Sequence, residues 1–527
     1  MAAFTKMARV HVILCFLCCN VFIASFASSD EFFQCLSETI PSEFVYPQTS
    51  SSFMSVLQSS VQNPKFLTNT TVRPLCIVTA SDVSHVQATV RCGRRHGVRL
   101  RVRSGGHDYE GLSYRSVLPE AFAVLDLARL RAVRVHQGDA TAWVDAGATL
   151  GELYYAIGTV NPGFAFPGGA CPTVGISGFL SGGGIGLMMR KFGIGADNVI
   201  DAKIVNADGD VLNRAAMGKD LFWAIRGGGG ESFGVIVEWQ LKLSMVSRTV
   251  TVVNIAKTID EGAAGIIAKW ETLILEPFLP ELTTRVVVQG SRAFFQTLFL
   301  GRCSGLVYTM RIFFPELNMK AADCHEMSWL RAMAFIGLGT ANAPVEGILN
   351  RTTNLGTYVK NKSDYVRRAI GKAGWESIFQ QQLSRNSAGL MILEPHGGVV
   401  GSVIPDTMTP YPHRQGVLYN IQYVVFWWGE ANGTAAAAAT GWLNGLYGFM
   451  ERFVTSNPRE AFANYRDLDI GQNVVGSDGV TTYESGRVWG EKYFMGNFRR
   501  LAVAKGKVDP GDYFRNEQSI PPLLQTF

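Results

Sequence analysis

Two glycine-rich stretches about sixty residues apart constrain this chain more than any other feature. They are Arg103-Ser104-Gly105-Gly106-His107-Asp108-Tyr109 and Gly168-Gly169-Ala170-Cys171-Pro172-Thr173-Val174-Gly175. Each presents one chemically competent side chain, His107 or Cys171, among glycines. Glycine lets backbone approach a ligand closely and frees N–H groups to cradle phosphate. An imidazole and a thiol on such loops point to a large phosphate-bearing cofactor open to covalent attachment. Taken singly, each loop reads as an ordinary glycine turn with a surface histidine or a buried cysteine. Two more clusters follow, Gly182-Gly183-Gly184-Ile185-Gly186 and Gly227-Gly228-Gly229-Gly230. No G-x-G-x-x-G stands between a strand and a helix, so a one-loop dinucleotide site is disfavoured and phosphates are expected on several separated loops.

The chain has 527 residues, of which 17% are charged. Average globular usage is about 25%, so the chain has interior enough for two or three domains. Residues 1–27 read as a cleaved secretory leader. Lys6 and Arg9 precede the apolar run Val10–Phe26, and Ser25-Phe26-Ala27 offers a small-residue cleavage site. The competing reading is a membrane anchor, but the run Val10–Phe26 is at the short limit for a span and its flanks suit cleavage, and no other segment is apolar enough to cross a bilayer. Removing the leader takes two cations and no acid, so the net charge falls from +5 to +3. That charge is too mild to imply nucleic acid. Asn69, Asn350, Asn361 and Asn432 head N-x-Ser/Thr sequons, expected to carry glycans on exposed loops. Six cysteines follow the leader, Cys35, Cys76, Cys92, Cys171, Cys303 and Cys324. They allow fifteen pairings, among which spacing cannot choose. No residue is assigned to a metal.

Along the chain, Ser81 is expected to cap a helix through Val86 and Val90 to Gly97. Val98–Val102, Ala121–Leu127 and Thr141–Ala146 read as strands. Thr149-Leu150-Gly151-Glu152 has capping-box spacing. Strands are expected at Asn198–Asn206 and Val235–Leu243, with Asp208-Gly209 as a hairpin turn. Beyond about residue 247 the texture changes. Val250–Ile255, Thr284–Val288, Phe294–Leu300 and Leu306–Phe314 read as strands. Met319–Phe335 and Asp364–Gln382 read as helices. Tyr419–Trp428 reads as a strand, and Ala435–Phe453 as a helix with Trp442, Leu446, Met450 and Phe453 on one face.

These residues resemble the berberine bridge enzyme-like proteins of plants, flavoproteins of the vanillyl-alcohol-oxidase superfamily. The resemblance runs from about Phe32 to Leu523. It rests on SGGHDYEGLSY at 104–114, CPTVG at 171–175, SGGGIG at 181–186 and RKFGIGADNV at 190–199. It rests further on RGGGGESFG at 226–234, NYRDLDIG at 464–471, WGEKYF at 489–494 and EQSIPP at 517–522.

The resemblance implies an α+β fold, with a two-part FAD-binding domain of the vanillyl-alcohol-oxidase (PCMH) type and an antiparallel-sheet-and-helix substrate domain. The expected boundaries are 28–246 for the FAD domain, 247–463 for the substrate domain and 464–527 for a tail returning to the FAD domain. It implies FAD attached through the 8α-methyl to His107 and through C6 to Cys171. Arg103, Ser104, Gly105, Gly106, Asp108, Val174, Gly175, Ser181, Gly182 and Asn497 complete the expected cofactor site. It also implies a Cys35–Cys92 disulfide, leaving Cys76, Cys303 and Cys324 free or unassigned. A monomer is expected, secreted to the apoplast or cell wall, with the vacuole as an alternative.

On the substrate side, hydride transfer to flavin N5 needs a base for the substrate proton. Gln422 stands where berberine bridge enzyme carries a glutamate. An amide is no base, but it can hold a hydroxyl. Tyr465 matches the tyrosine proposed as base in cannabinoid synthases, and Tyr109 joins it. A phenol with a pKa near ~10 needs a cation or donor to ionise. Alcohol-oxidising members supply one by pairing a tyrosine in R-K-Y-G with a lysine in K-I-Q. Here Phe192 and Asn420 replace both. Phe462 and His396 stand where tyrosines are common, and Phe179 where histidine is common. Tyr465 is the expected base, with turnover rising in the alkaline range, and Gln422 the expected orienting group. His396 or His413 could compensate, although His413 reads more readily as structural. The residue three after the linking cysteine lies near flavin C4a in the family. Leucine there blocks O₂, and Val174 is one carbon smaller. The expectation is an oxidase of an alcohol, carbohydrate or phenolic metabolite that yields H₂O₂. The alternatives are a dehydrogenase with another acceptor and a weakly catalytic defence or binding flavoprotein.

Overall fold

The computed structural model describes residues 29–118, 120–274, 279–352, 356–383 and 388–524. The expected leader, residues 1–27, lies outside them. Four strands open the fold, β1 (Val45–Pro47), β2 (Cys76–Thr79), β3 (Arg99–Arg103) and β4 (Phe122–Asp126), in sheet order β1-β2-β4-β3. β4 runs parallel to both β2 and β3. β2 and β4 are buried at every residue, apolar except for Thr79 and Asp126 at their ends, as in strands covered on both faces. The helix Val83–Arg95 starts on Asp82, whose carboxylate accepts from Ser84 N at 2.8 Å. The cap is therefore not Ser81. An acid at this position also complements the positive helix end. The helix stops before Gly97, at φ +68°. Cys35 and Cys92 form a disulfide that ties the N-terminal arm to this helix.

Seven further strands follow: β5 (Val133–His136), β6 (Thr141–Asp145), β7 (Phe164–Ala165), β8 (Val199–Val205), β9 (Val211–Leu212), β10 (Val235–Lys242) and β11 (Ser244–Met245). Five make an antiparallel sheet in order β5-β6-β10-β8-β9, and β7 pairs with β11. β8 and β9 form the hairpin that Asp208-Gly209 predicts, with Gly209 at φ +81°. The helix Leu150–Val160 carries the expected capping box: Thr149 Oγ1 accepts from Glu152 N, and Thr149 N donates to the Glu152 carboxylate.

The last seven strands are β12 (Val250–Thr258), β13 (Leu282–Gln289), β14 (Arg292–Phe299), β15 (His325–Met327), β16 (Tyr358–Val366), β17 (Gly389–Pro395) and β18 (Tyr419–Trp427). They form one antiparallel sheet in order β15-β12-β14-β13-β17-β18-β16. The helices Ala263–Leu273, Gly371–Gln381 and Thr434–Met450 share a hydrophobic core with it. The C-terminal helices Tyr483–Phe494 and Asn497–Val508 contribute Trp489, Phe498 and Leu501 to the core that contains β8, β10 and Leu150–Val160.

Several sequence readings change here. Leu306–Phe314 is not a strand but part of the helix Cys303–Phe313, in which Leu306 and Met310 share the buried face at the helical spacing. Met319–Phe335 is not one helix. β15 interrupts it, and Ser328 caps a new helix at Trp329–Leu338. Asp364–Val366 ends β16, and the helix begins at Gly371. Lys360, Lys362 and Asp364 on β16 are buried and paired, Lys360 with Glu110 and Asp467, Lys362 with Asp467, and Asp364 with Arg459. Asn361 on the same strand has 0% exposure, so it is no site for a glycan in the folded protein. Asn69, Asn350 and Asn432 are exposed. Cys303 and Cys324, which the resemblance left unassigned, are bridged. Cys76 is free, and burial pushes its thiol up to about 12. Among the described residues no helix is long and apolar enough to cross a membrane.

Candidate functional site

A cavity of about 440 Å³ lies between the glycine loops and one face of the seven-stranded sheet. The two loops interlock: a Cβ on Gly105 would collide with the backbone of Gly175. The second loop hangs on the helix Leu150–Val160, whose Leu150 N and Gly151 N donate to Val174 O (2.9 Å) and Pro172 O (2.8 Å). That helix's free N-terminal donors thus fix the loop's backbone.

Thr173 brings the two reactive side chains together. Its hydroxyl is 2.7 Å from His107 Nε2 and 3.3 Å from Cys171 Sγ. Burial pulls His107 down to about 4, against a hydrogen bond with Thr173 that pushes it up. The ring is therefore neutral at pH 7, and in the tautomer whose Nε2–H donates to Thr173 Oγ1, Nδ1 keeps a lone pair for a bond. Cys171 is exposed and unbridged. Gly105, Gly106, Gly175, Gly182, Gly228 and Gly229 also border the cavity, and a Cβ on Gly178 would project into open space. A long glycine-walled cleft, with a neutral imidazole and a free thiol sharing one hydroxyl, fits the isoalloxazine and phosphates of FAD.

Tyr109, Gln422, Tyr465, Phe462, Arg285 and Glu394 line the other end. Gln422 Nε2 donates to Tyr109 Oη at 2.8 Å. The rings of Tyr109 and Tyr465 meet edge to face, 6.4 Å between centroids. Burial raises the Tyr109 phenol to about 12, against the hydrogen bond from Gln422. Burial first, then the charge of Glu394, raises Tyr465 well above the ordinary phenol range. Glu394 pairs with Arg285 at 3.4 Å, and its carboxyl too is raised by burial.

Ser104, Asp108, Val174 and Ser181 border the cavity with the glycines that the sequence singles out. Arg103 and Asn497 do not. The Arg103 guanidinium is consumed by the Asp126 carboxylate and the carbonyls of Val56 and Leu57, with 0% exposure. Asn497 Nδ2 is spent on the carbonyls of Asp406 and Pro410. The alternative bases are also elsewhere. His396 is fully buried, 2.7 Å from Tyr411 Oη, and burial holds it at about 3. His413 lies between Glu460 and Tyr493 O, both ring nitrogens engaged. Sequence reasoning missed Thr173, Arg285 and Glu394. The signals were a hydroxyl inside the CPTVG motif and two charges inside apolar strand runs.

Known proteins bear on this geometry. A family model described as an FAD binding domain matches residues 74–214, and one described as berberine and berberine like matches residues 461–521. The berberine bridge enzyme-like protein Cyn d 4 of Cynodon dactylon is 54% identical over 496 residues, covering 94% of this chain and 93% of the relative. A monolignol oxidoreductase of Arabidopsis thaliana is 42% identical over 493 residues, covering 92% and 90%. The solved structure of Phl p 4, described as a grass pollen allergen with glucose dehydrogenase activity, superposes with TM-score 0.91 at 50% identity, covering 94% of this chain and 100% of that one. A single isoleucine-to-valine variant of Phl p 4 is described as a glucose oxidase, and the wild type as a glucose dehydrogenase. With these matches along nearly its whole length and the cleft built as it is, the chain belongs to the berberine bridge enzyme-like family of FAD-binding oxidoreductases.

Proposed function

We propose that this protein is a secreted oxidase with FAD linked to His107 and Cys171, taking hydride from the carbinol of an alcohol, carbohydrate or phenolic metabolite. The observation that carries the reading is the Thr173 hydroxyl, which places imidazole and thiol side by side on the cleft wall. Residues 28–246 with 464–527 form the FAD-binding part, and 247–463 present the substrate-facing sheet. When bound, FAD supplies a two-electron acceptor at N5. Gln422, anchored to Tyr109, orients the substrate hydroxyl, and Tyr465 receives its proton. With FAD bound, O₂ would be the final electron acceptor, giving H₂O₂. Val174 lines the cavity and keeps room for O₂. The Phl p 4 pair supports this, since there one exchange to valine separates a dehydrogenase from an oxidase. The two disulfides fit an oxidising compartment, where Asn69, Asn350 and Asn432 would carry glycans and the protein would act as a monomer.

The test is anaerobic bleaching of the flavin with glucose, other aldoses, cello-oligosaccharides and monolignols, followed by peroxide detection in air. Bleaching with peroxide supports the oxidase. Bleaching with slow reoxidation and no peroxide would make it a dehydrogenase. No bleaching by any compound would leave a weakly catalytic binding protein.

A further inference from the structure

Two buried acceptors at the substrate end lack donors. Glu394 Oε2 and Asn420 Oδ1 have no hydrogen-bond partner among the described residues. They are also neighbours. Glu394 on β17 is the registered partner of Asn420 on β18, which puts their Cβ atoms about 4.5–5.5 Å apart on one face. The orientation of Asn420 is fixed from the other side, because its Nδ2 donates to Asp364 O at 3.1 Å. Two unpaired acceptors on registered residues of adjacent strands each cost desolvation without return. A proton on Glu394 would give Oε2 a hydrogen to donate to Asn420 Oδ1. The other carboxylate oxygen stays against Arg285, whose Nε donates to Gln296. The carboxyl sits on the cavity wall with Tyr465, and Glu394 is the foremost charge acting on that phenol.

We infer that Glu394 is the proton store of the reaction, reached through Tyr465 and seated against Asn420. The inference rests on the oxidase reading above. As the substrate C–H pair leaves as hydride, the hydroxyl O–H bond breaks. Its proton passes to Tyr465 oxygen, while the proton of Tyr465 passes along the shared cavity wall to the Glu394 carboxylate. The alcohol becomes a carbonyl, oxidised by two electrons, and the flavin is reduced. When O₂ takes the electrons, the stored proton leaves with the peroxide. The arrangement also accounts for Phe192 and Asn420. A phenol that hands its proton to a carboxylate needs no lysine to hold it ionised, and a lysine at position 420 would compete for Glu394. The charged and titratable groups facing the carboxyl are Arg285 from β13 and Tyr465 from the 463–465 turn. His396 turns away toward Tyr411.

Two measurements on the FAD-loaded protein decide this. The first needs no substrate. Infrared difference spectra across pH should show a protonated-carboxyl stretch titrating above the usual carboxylate range, absent in Glu394→Gln. A spectrum without such a band, or one unchanged by the substitution, overturns the inference even if the enzyme proves active. The second is the rate of anaerobic flavin reduction by the best compound of the panel. The wild type should lose rate below the carboxyl's titration. Glu394→Gln should be about 10²–10⁴-fold slower, without that acid limb, and should melt no lower than wild type because its amide N–H₂ still donates to Asn420. Equal rates overturn the relay. If Glu394→Gln fails to fold, Glu394→Asp takes its place: a slowed reduction with the acid limb kept supports the relay, and an unchanged rate overturns it. If no compound bleaches the wild type, the oxidase reading fails on its own, and the infrared titration still decides whether Glu394 holds a proton.

Discussion

Thr173, Val174 and Tyr465 each answer for one step, so the sharpest tests lie at single residues. Val174→Leu adds one carbon beside the ring position that O₂ must reach. Flavin reoxidation in stopped flow should slow severalfold or more while anaerobic reduction stays nearly unchanged. Equal oxygen rates would show that Val174 is no gate. Tyr465→Phe keeps the edge-to-face packing on Tyr109 and Phe462 but removes the proton carrier. Flavin reduction should fall by about two to four orders of magnitude. The sequence led us to expect turnover rising in alkali as this tyrosine ionises. Burial and Glu394 push that ionisation out of the working range, so the rise should be absent and the acid limb should dominate. His396→Ala should lower the melting temperature by opening the buried pair with Tyr411, and leave the shape of the pH profile unchanged.

At the scale of elements, the helix Leu150–Val160 matters because its first turn holds the CPTVG loop. Thr149→Ala breaks the capping box and should cost about 1 kcal/mol of stability. It should also slow covalent incorporation of flavin at Cys171, measured as colour retained after acid precipitation during reconstitution. Full incorporation at the wild-type rate would show that the cap serves folding alone. This helix was legible in the sequence, because capping spacing and apolar periodicity agreed. So were β8, β10, β12 and β18, which are rich in β-branched and aromatic residues. β16 was not, because its buried lysines and aspartate have partners 90 or more residues away in sequence, which no local window contains. The helix Cys303–Phe313 was lost because Leu306–Phe314 is rich in β-formers, and only packing on β12 reveals its helical period. In the site, the glycine loops were legible as motifs. Glu394 was not, since its role depends on a register between strands that sequence does not print.

Across the whole molecule, Glu460 ties three distant segments, accepting from Arg367 Nε at 2.9 Å and lying 2.7 Å from His413 Nδ1. Burial alone would raise its carboxyl, but the hydrogen bonds and charges of His413 and Arg367 outweigh it and hold it at about 2. A carboxyl depressed in the fold stabilises above its ordinary pKa and loses that stabilisation as pH falls to the folded value. The protein should therefore lose about 3 kcal/mol between about pH 4.5 and 2 from this group. Glu460→Gln should melt lower at pH 7 and show a flatter acid limb in its melting profile. Glycopeptide mapping of secreted protein should find Asn69, Asn350 or Asn432 occupied and Asn361 bare.

The central claim is that two loops far apart in sequence grip one flavin. Mass spectrometry of a tryptic digest tests it most directly. The account predicts one species in which a single FAD joins the peptide containing His107 to the peptide containing Cys171. His107→Ala and Cys171→Ala should each leave FAD on the remaining peptide, and the double variant should release it to the supernatant in acid. Unmodified peptides at both positions, with all flavin free, would contradict the account.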